Sequence, residues 1–358
     1  MQKPLLIDRI STSCQMHFMN NVQHVMKRSV SALAFLVLAS SVLAACSETA
    51  SLRRPSSPVQ RCINMGGALE APNEGEWGYT IRMEDIDRIK AAGFDTIRLP
   101  VQWSAHAGTW GGYQIEDHLL DRTDEVINYA LSQDLKVILD VHHYYDLNME
   151  PAKHERRLES IWKQLASHYE SYPDTLIFEV LNEPNTNMTA KRTDALNKRI
   201  VRQIRQSQPH RWIILATAEW GSLTGLLESA PPADSRVILS WHYYDPFSFT
   251  HQGADFFKPT PPVGTHWGTK ADMDRAKADF DRAAAFRDLH HQPLLLGEFG
   301  VYDAAPMEDR ARWTRAVREL AESNEFGWCH WSFSSNFRVY DPEKEAWIEP
   351  IRAALLGD

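Results

Sequence analysis

From residue 61 onward one pattern recurs: a short run of β-branched or apolar residues, a polar loop, then a stretch with apolar positions three and four apart. The apolar runs fall at 62–69, 96–101, 136–142, 176–181, 212–216, 237–241, 293–297 and 328–333, eight in all. The first helical stretch carries Asp85, Ile86, Ile89 and Ala92; others follow at 119–131, 158–168, 193–204, 273–289 and 311–320, with a short connection at 223–227. Strands alternating with helices predict a parallel sheet covered by helices. Eight repeats predict that the sheet closes, giving an α/β protein with a (β/α)8 TIM barrel as one domain over 61–358. No Gly-x-Gly-x-x-Gly follows the first run, so an open dinucleotide-binding sheet loses its main sequence mark.

The first 60 residues follow a different pattern. Lys27 and Arg28 precede a nearly continuous small and apolar stretch, Ser29 to Ala45, which ends in Leu43-Ala44-Ala45-Cys46. A basic start, a short apolar segment and small residues at its end mark a secretory signal. The closing tetrad resembles the bacterial lipobox, in which the cysteine is lipidated. The expected organisation is a signal region over 1–45, with Met26 a candidate start, then lipidated Cys46 and a tether over 46–60. This predicts an extracytoplasmic lipoprotein, on the periplasmic side or at the cell surface, touching membrane only through its lipid. An uncleaved anchor and plain secretion are the alternatives.

Composition narrows the partners. The chain carries a net charge of −9, and loss of the signal region would make it more acidic still. Such a surface repels nucleic acid and anionic membrane. The 12 Trp residues supply flat apolar faces of the kind on which sugar rings pack, besides filling the core. Cys14, Cys46, Cys62 and Cys329 form no Cys-x-x-Cys pair, there is no His-x-His, and His142 and His143 as strand neighbours point to opposite faces. No metal and no cofactor are expected. Cys62 and Cys329 fall on the first and last strands, neighbours in a closed barrel, and either a bridge or two buried thiols fits them. A monomer is the default expectation.

In a barrel of this kind the active site lies at the C-terminal ends of the strands. The polar residues there are Arg98; Asp140, His142 and His143; Asn182 and Glu183; His242 and Tyr244; Glu298; and Trp331. A glutamate ending an apolar strand is costly unless its charge has a partner or a purpose, and Glu183 and Glu298 converge from the fourth and seventh runs. Two carboxyl groups suit glycoside cleavage. Arg98 is placed to hold Glu298 ionised, and that negative charge would raise the pKa of Glu183 and keep it protonated.

Asn182-Glu183-Pro184 and Gly297-Glu298-Phe299-Gly300, with Arg98, His142, His242, Tyr244 and Trp331, resemble the motifs of glycoside hydrolase family 5, the cellulase family. The segments 68–75, 217–221, 242–247 and 249–254 are similar to those of its bacterial endoglucanases that accept both β-1,4-glucan and β-mannan. The resemblance implies a retaining endo-β-1,4-glucanase without metal, with Glu183 as acid/base and Glu298 as nucleophile. It implies that Asn182 bonds the sugar 2-hydroxyl, Tyr244 and Arg98 hold the nucleophile, and His242 orients the acid/base. His142 and His143 would contact the sugar before the cleaved bond, with Trp331 as its platform, and Glu70, Trp220 and His251 would bind flanking units. Two positions depart from these relatives: Gly67 where they carry Asn, and Phe256, also in the cleft, where they carry Trp. A β-mannanase, another β-glucan or xyloglucan hydrolase, and a non-catalytic glycan-binding lipoprotein are the competing readings.

Overall fold

The apolar runs form parallel strands that pair in chain order and close into a barrel, the last strand hydrogen-bonding back onto the first. They are β1 (Arg61–Asn64), β2 (Thr96–Val101), β3 (Lys136–Val141), β4 (Leu176–Glu179), β5 (Ile213–Ala216), β6 (Val237–Tyr243), β7 (Leu294–Phe299) and β8 (Gly327–His330). The structure, a computed structural model, describes residues 56–357. The signal region, Cys46 and most of the tether lie outside the described residues.

Alternation along each strand sorts the side chains. Ile138, Ile177, Ile214, Ile238 and Leu295 point to the barrel axis and, with Val59, Cys62 and Cys329, form an apolar plug with no exposure. Burying each such side chain stabilises by about 2 kcal/mol. The alternate residues, among them Ile97, Leu99, Leu139, Phe178 and Leu296, belong to the larger core shared with the helices. Two residues beyond the plug the interior turns polar: Asn64, Arg98, Asp140, Glu179 and Ser240 are all at 0% exposure. The apolar plug is the floor on which this polar layer stands.

The covering helices are α1 (Met83–Ala92), α2 (Asp117–Ser132), α3 (Tyr145–Met149), α4 (Pro151–His168), α5 (Ala190–Arg205), α6 (Leu223–Glu228), α7 (Phe247–Thr250), α8 (Lys270–His290), α9 (Met307–Ser323) and α10 (Glu349–Leu356). A short hairpin, β9 (Tyr340–Asp341) and β10 (Ala346–Trp347), precedes α10. Apolar spacing sets the buried face, as in α5, where Leu196, Ile200, Val201 and Ile204 are inside. Local chemistry sets the ends: Thr269 and Asp272 form a capping box at the start of α8, and Gly93 closes α1 at φ 99.

Several expectations need correction. Only the first residues of the run 62–69 form a strand, and β4 and β8 stop at Glu179 and His330, short of 181 and 333. The apolar residues beyond these ends are buried in loop, where apolarity alone cannot separate strand from packed turn. The end of the expected tether also packs: Val59 is fully buried in the plug, and the Trp328 N–H donates to the Gln60 carbonyl at 3.0 Å. The folded domain therefore includes residues before 61. Cys62 and Cys329 face each other in the β1–β8 register and form a disulfide across the closing seam.

Candidate active site

Arg98 organises the polar layer. Its side chain is at 0% exposure, and every donor is used. Nε and Nη2 donate to the two oxygens of Glu179 at 2.7 and 2.9 Å, a bidentate pair. Nη1 donates to Asn64 at 2.8 Å and to Glu298 Oε1 at 2.9 Å, and Nη2 donates to Asn182 at 2.8 Å. Asp140 Oδ2 lies 3.0 Å from Nη2. One guanidinium thus faces three carboxyl groups, whereas the sequence reading gave it Glu298 alone. Burial pushes Asp140 up to about 7 and raises Glu179, in both cases against the pull of Arg98. Glu179 and the role of Asp140 were missed; the available signal was a charge two residues beyond an inward isoleucine on an otherwise apolar strand.

Glu298 reaches the cleft through a break in register. Leu295 faces inward, so regular alternation would send Gly297 inward and Glu298 out toward the helices. Pairing of β6 with β7 instead steps from Trp241↔Leu296 to His242↔Glu298, leaving Gly297 as an extra residue. Such a bulge re-aims the next side chain. A Cβ on Gly297 would meet Ser240 Oγ at 2.1 Å, so only glycine is accommodated there. Glu183 lies past the end of β4, where the chain has left the sheet.

The two glutamates and His242 form one cluster, with a carboxyl oxygen of each glutamate and a ring nitrogen within 4.8 Å of one another. His242 Nδ1 is 2.9 Å from Glu183 Oε1 and 3.7 Å from Glu298 Oε2. Burial lowers the pKa of this histidine, against the opposing pull of Glu298. Burial also pushes both carboxyl groups up to about 7; His242 and Arg98 oppose it at Glu298, and Arg98 at Glu183. Hydrogen bonds then separate the pair. Glu298 accepts from Arg98 and, at 3.0 Å, from the Tyr244 hydroxyl, whose own pKa is driven well above its usual value. Among the described residues, the Glu183 carboxyl group has only His242 as a hydrogen-bond partner. The charge is better held on Glu298 and the shared proton on Glu183. The difference between the two comes from their unequal donors, whereas burial acts on both alike and repulsion between the carboxylates, the cause expected from sequence, is secondary.

His142 continues the inward face of β3 above Asp140, whose Oδ2 lies 2.5 Å from Nδ1. Nε2 lies 3.2 Å from Asn182 Nδ2, so Nε2 accepts and Nδ1 carries the proton. Trp331 stacks on His142 at 9°. His143 stacks on Tyr145 and meets Trp77 edge-on. Trp77 and Tyr145, both about half exposed, extend this wall and were missed in the sequence, where nothing distinguishes them from core aromatics. Trp220 is half exposed beside Glu183, its N–H donating to the Pro184 carbonyl at 3.2 Å. Phe256 is exposed with Phe247 and Phe257 on a second aromatic wall. Two predicted contacts sit deeper. His251 is buried, stacked on Phe247 and packed against Tyr244 and Phe337. Glu70 is buried, accepting from the Gly67 and Ala68 N–H groups, and it shapes the turn after β1.

The family model for cellulase, glycosyl hydrolase family 5, matches residues 62–337. Endoglucanase H of Acetivibrio thermocellus is 32% identical over 300 residues, covering 82% of this chain but 32% of that protein, so the chain spans about a third of this relative's length. Endoglucanase A of Ruminococcus albus is 30% identical over 287 residues, covering 72% of this chain and 77% of the relative. Crystal structures of Thermotoga maritima Cel5A, one with cellobiose and one with mannotriose, are similar at TM-score 0.82 and 39% identity, covering 83% of this chain and 97% of theirs. With that match extending from β1 past β8 and through both glutamates, the chain belongs to glycosyl hydrolase family 5, the cellulases.

Proposed function

We propose that this chain is a retaining endo-β-1,4-glucanase working by double displacement, with Glu298 as nucleophile and Glu183 as acid/base. The observation that carries the reading is the separation of the two carboxyl groups, whose nearest oxygens lie within 4.8 Å. Retaining enzymes hold their carboxyl groups about 5–5.5 Å apart, and inverting enzymes about 6.5–9.5 Å to admit a water. Glu298 attacks the anomeric carbon while Glu183 gives its proton to the departing glycosidic oxygen, leaving a glycosyl ester on Glu298. Esterification removes the nucleophile's charge. Glu183, now ionised, takes a proton from water, which attacks the anomeric carbon and frees Glu298. Asn182, held by Arg98 and His142, keeps an amide hydrogen for the sugar 2-hydroxyl. The Trp331–His142–His143–Tyr145 wall offers aromatic faces for sugar rings, and the half-exposed Trp220, bonded through its backbone N–H to the Pro184 carbonyl, offers another near Glu183.

β-Mannan is the second substrate we propose, because a structure 39% identical to this chain holds mannotriose. Reducing-sugar release from carboxymethylcellulose, mixed-linkage glucan, glucomannan, galactomannan, xyloglucan and laminarin tests both. Release from the first three supports β-1,4-glucanase action, and galactomannan decides the mannan reading. Activity confined to laminarin or xyloglucan would overturn the substrate. We further propose an extracytoplasmic, lipid-anchored, monomeric protein. The Cys62–Cys329 bridge supports the compartment, since disulfides persist in oxidising surroundings.

The acid role of Glu183 gives a pH-dependent prediction. Its raised pKa means that the proton needed for leaving-group departure is lost as pH rises through about 7, while the limb at lower pH reports ionisation of Glu298. Glu183→Gln is expected to lower kcat/KM on glucan by about 10²–10⁴. With an aryl cellobioside bearing a good leaving group, the loss in kcat/KM should be about tenfold or less and the alkaline limb should vanish. Equal losses on both substrates would exclude the acid role.

A further inference from the structure

The loop between β2 and α2 holds a second cluster of ligand-type side chains, none of which belongs to the catalytic site. Ala107 and Ile115 form an isolated antiparallel bridge, the Gly108 N–H donates to the Gln114 carbonyl at 2.9 Å, and the Glu116 N–H donates to the His106 carbonyl at 2.9 Å. His106 and Glu116 therefore stand opposite each other at the base of a small hairpin. His118 follows in the first turn of α2. Glu116 is the N-cap residue of α2, yet its side chain makes no capping bond. Its carboxylate turns to the histidines instead: Oε2 lies 3.1 Å from His106 Nδ1 and 3.6 Å from His118 Nδ1. The two imidazoles meet edge to face, with ring centroids 5.3 Å apart and planes at 84°.

These separations suit a metal. Bonds of about 2.0–2.1 Å in tetrahedral geometry put neighbouring ligand atoms roughly 3.3 Å apart, and the three candidate atoms here lie within 4.8 Å of one another. A second observation is independent of spacing. His106 Nε2 lies 2.7 Å from the Pro72 carbonyl oxygen, so that nitrogen is the donor. With Nε2 turned to the carbonyl, Nδ1 is the nitrogen that faces the Glu116 carboxylate, 3.1 Å from Oε2, on the side where a cation would be held. An N–H given to a backbone carbonyl is also how ligating histidines are oriented. His106 is mostly covered, while Glu116 and His118 are open to solvent, which leaves room for water as a fourth ligand.

We propose that His106, Glu116 and His118 form a site for a transition metal of the zinc class, tying the hairpin to the start of α2 and, through Pro72, to the loop after β1. Imidazole and carboxylate together suit this class rather than calcium or magnesium. The sequence conceals the site because the hairpin separates its two histidines. The test uses the full chain stripped with a chelator and titrated with Zn²⁺, and with Co²⁺ as a visible probe. One equivalent should bind, Co²⁺ should show the intense visible band of four-coordination, and Zn²⁺ at about a hundred times its Kd should raise Tm by roughly 5 °C. His118→Ala and Glu116→Gln should abolish the band and the Tm rise while leaving metal-free glucan hydrolysis unchanged. Absence of saturable binding would overturn the proposal. So would binding that persists in His118→Ala and inhibits hydrolysis, since that would place the metal on Glu183, His242 and Glu298.

Discussion

Glu298→Ala is expected to lose about 10⁵-fold or more in kcat on glucan, the scale on which deleting a covalent nucleophile acts in other enzymes. The loss has a geometric reason. Glu298 is brought into the cleft by the slip at Gly297 and held there by Arg98 and Tyr244, and among the described residues no other carboxyl group accepts from both. Glu179 and Asp140 lie lower on the same interior and are themselves committed to Arg98. Azide should restore turnover of an aryl glycoside with a good leaving group, because a small anion fits the space left by the carboxylate. The product should be the glycosyl azide of inverted configuration, formed in one displacement. Chromatography with NMR of the anomeric proton reads both the rescue and its stereochemistry. Retained activity without azide, or a rescued product of retained configuration, would remove Glu298 from the nucleophile's role.

Arg98→Met is expected to have the largest effect on stability. The substitution keeps most of the volume and leaves Glu179, Asp140 and Glu298 buried without their cation. Breaking a buried ion pair from one side costs about 3–5 kcal/mol, which corresponds to a fall in Tm of roughly 10 °C. The pH dependence has a definite sign. Without Arg98 these carboxyl groups hold their protons to higher pH in the folded state than in the unfolded chain. The folded state then binds more protons, so stability falls as pH rises from the unfolded carboxyl range toward neutrality and beyond. Thermal unfolding between pH 5 and pH 8 should therefore show a steeper decline in the variant than in the parent. Arg98→Lys should recover part of the stability and little of the activity, since an ammonium cannot serve Glu179 in bidentate fashion and reach Glu298 as well. Parallel pH profiles for Arg98→Met and the parent would mean that Arg98 does not set these protonation states.

The strand order and the barrel were legible because alternation and helical spacing are local properties: each of the runs at 96–101 and 136–142 carries its own period. The ends of strands were less legible. Leu181 and Phe333 are as apolar as any strand residue, yet they pack in loops after β4 and β8. Val59 looked like tether because one valine among Ser, Pro and Arg carries no period, and only the barrel floor above it explains its burial. Trp77 and Tyr145 were missed for the converse reason, since a half-exposed aromatic has the same letter as a core one.

At the site, the sequence by itself determined the inventory: two glutamates, an arginine, histidines and a tyrosine at or near one end of the strands. Tertiary structure alone decided how these groups act. Arg98 meets Glu179 and Asp140 as well as Glu298, and Glu298 enters the cleft because Gly297 slips the register opposite Trp241 and His242 of the neighbouring strand. The physical reason is range. Alternation is dictated by bonded neighbours, whereas desolvation, charge pairing and register depend on atoms brought within a few ångströms by strands far apart in the chain, and these determine which carboxyl group carries the proton.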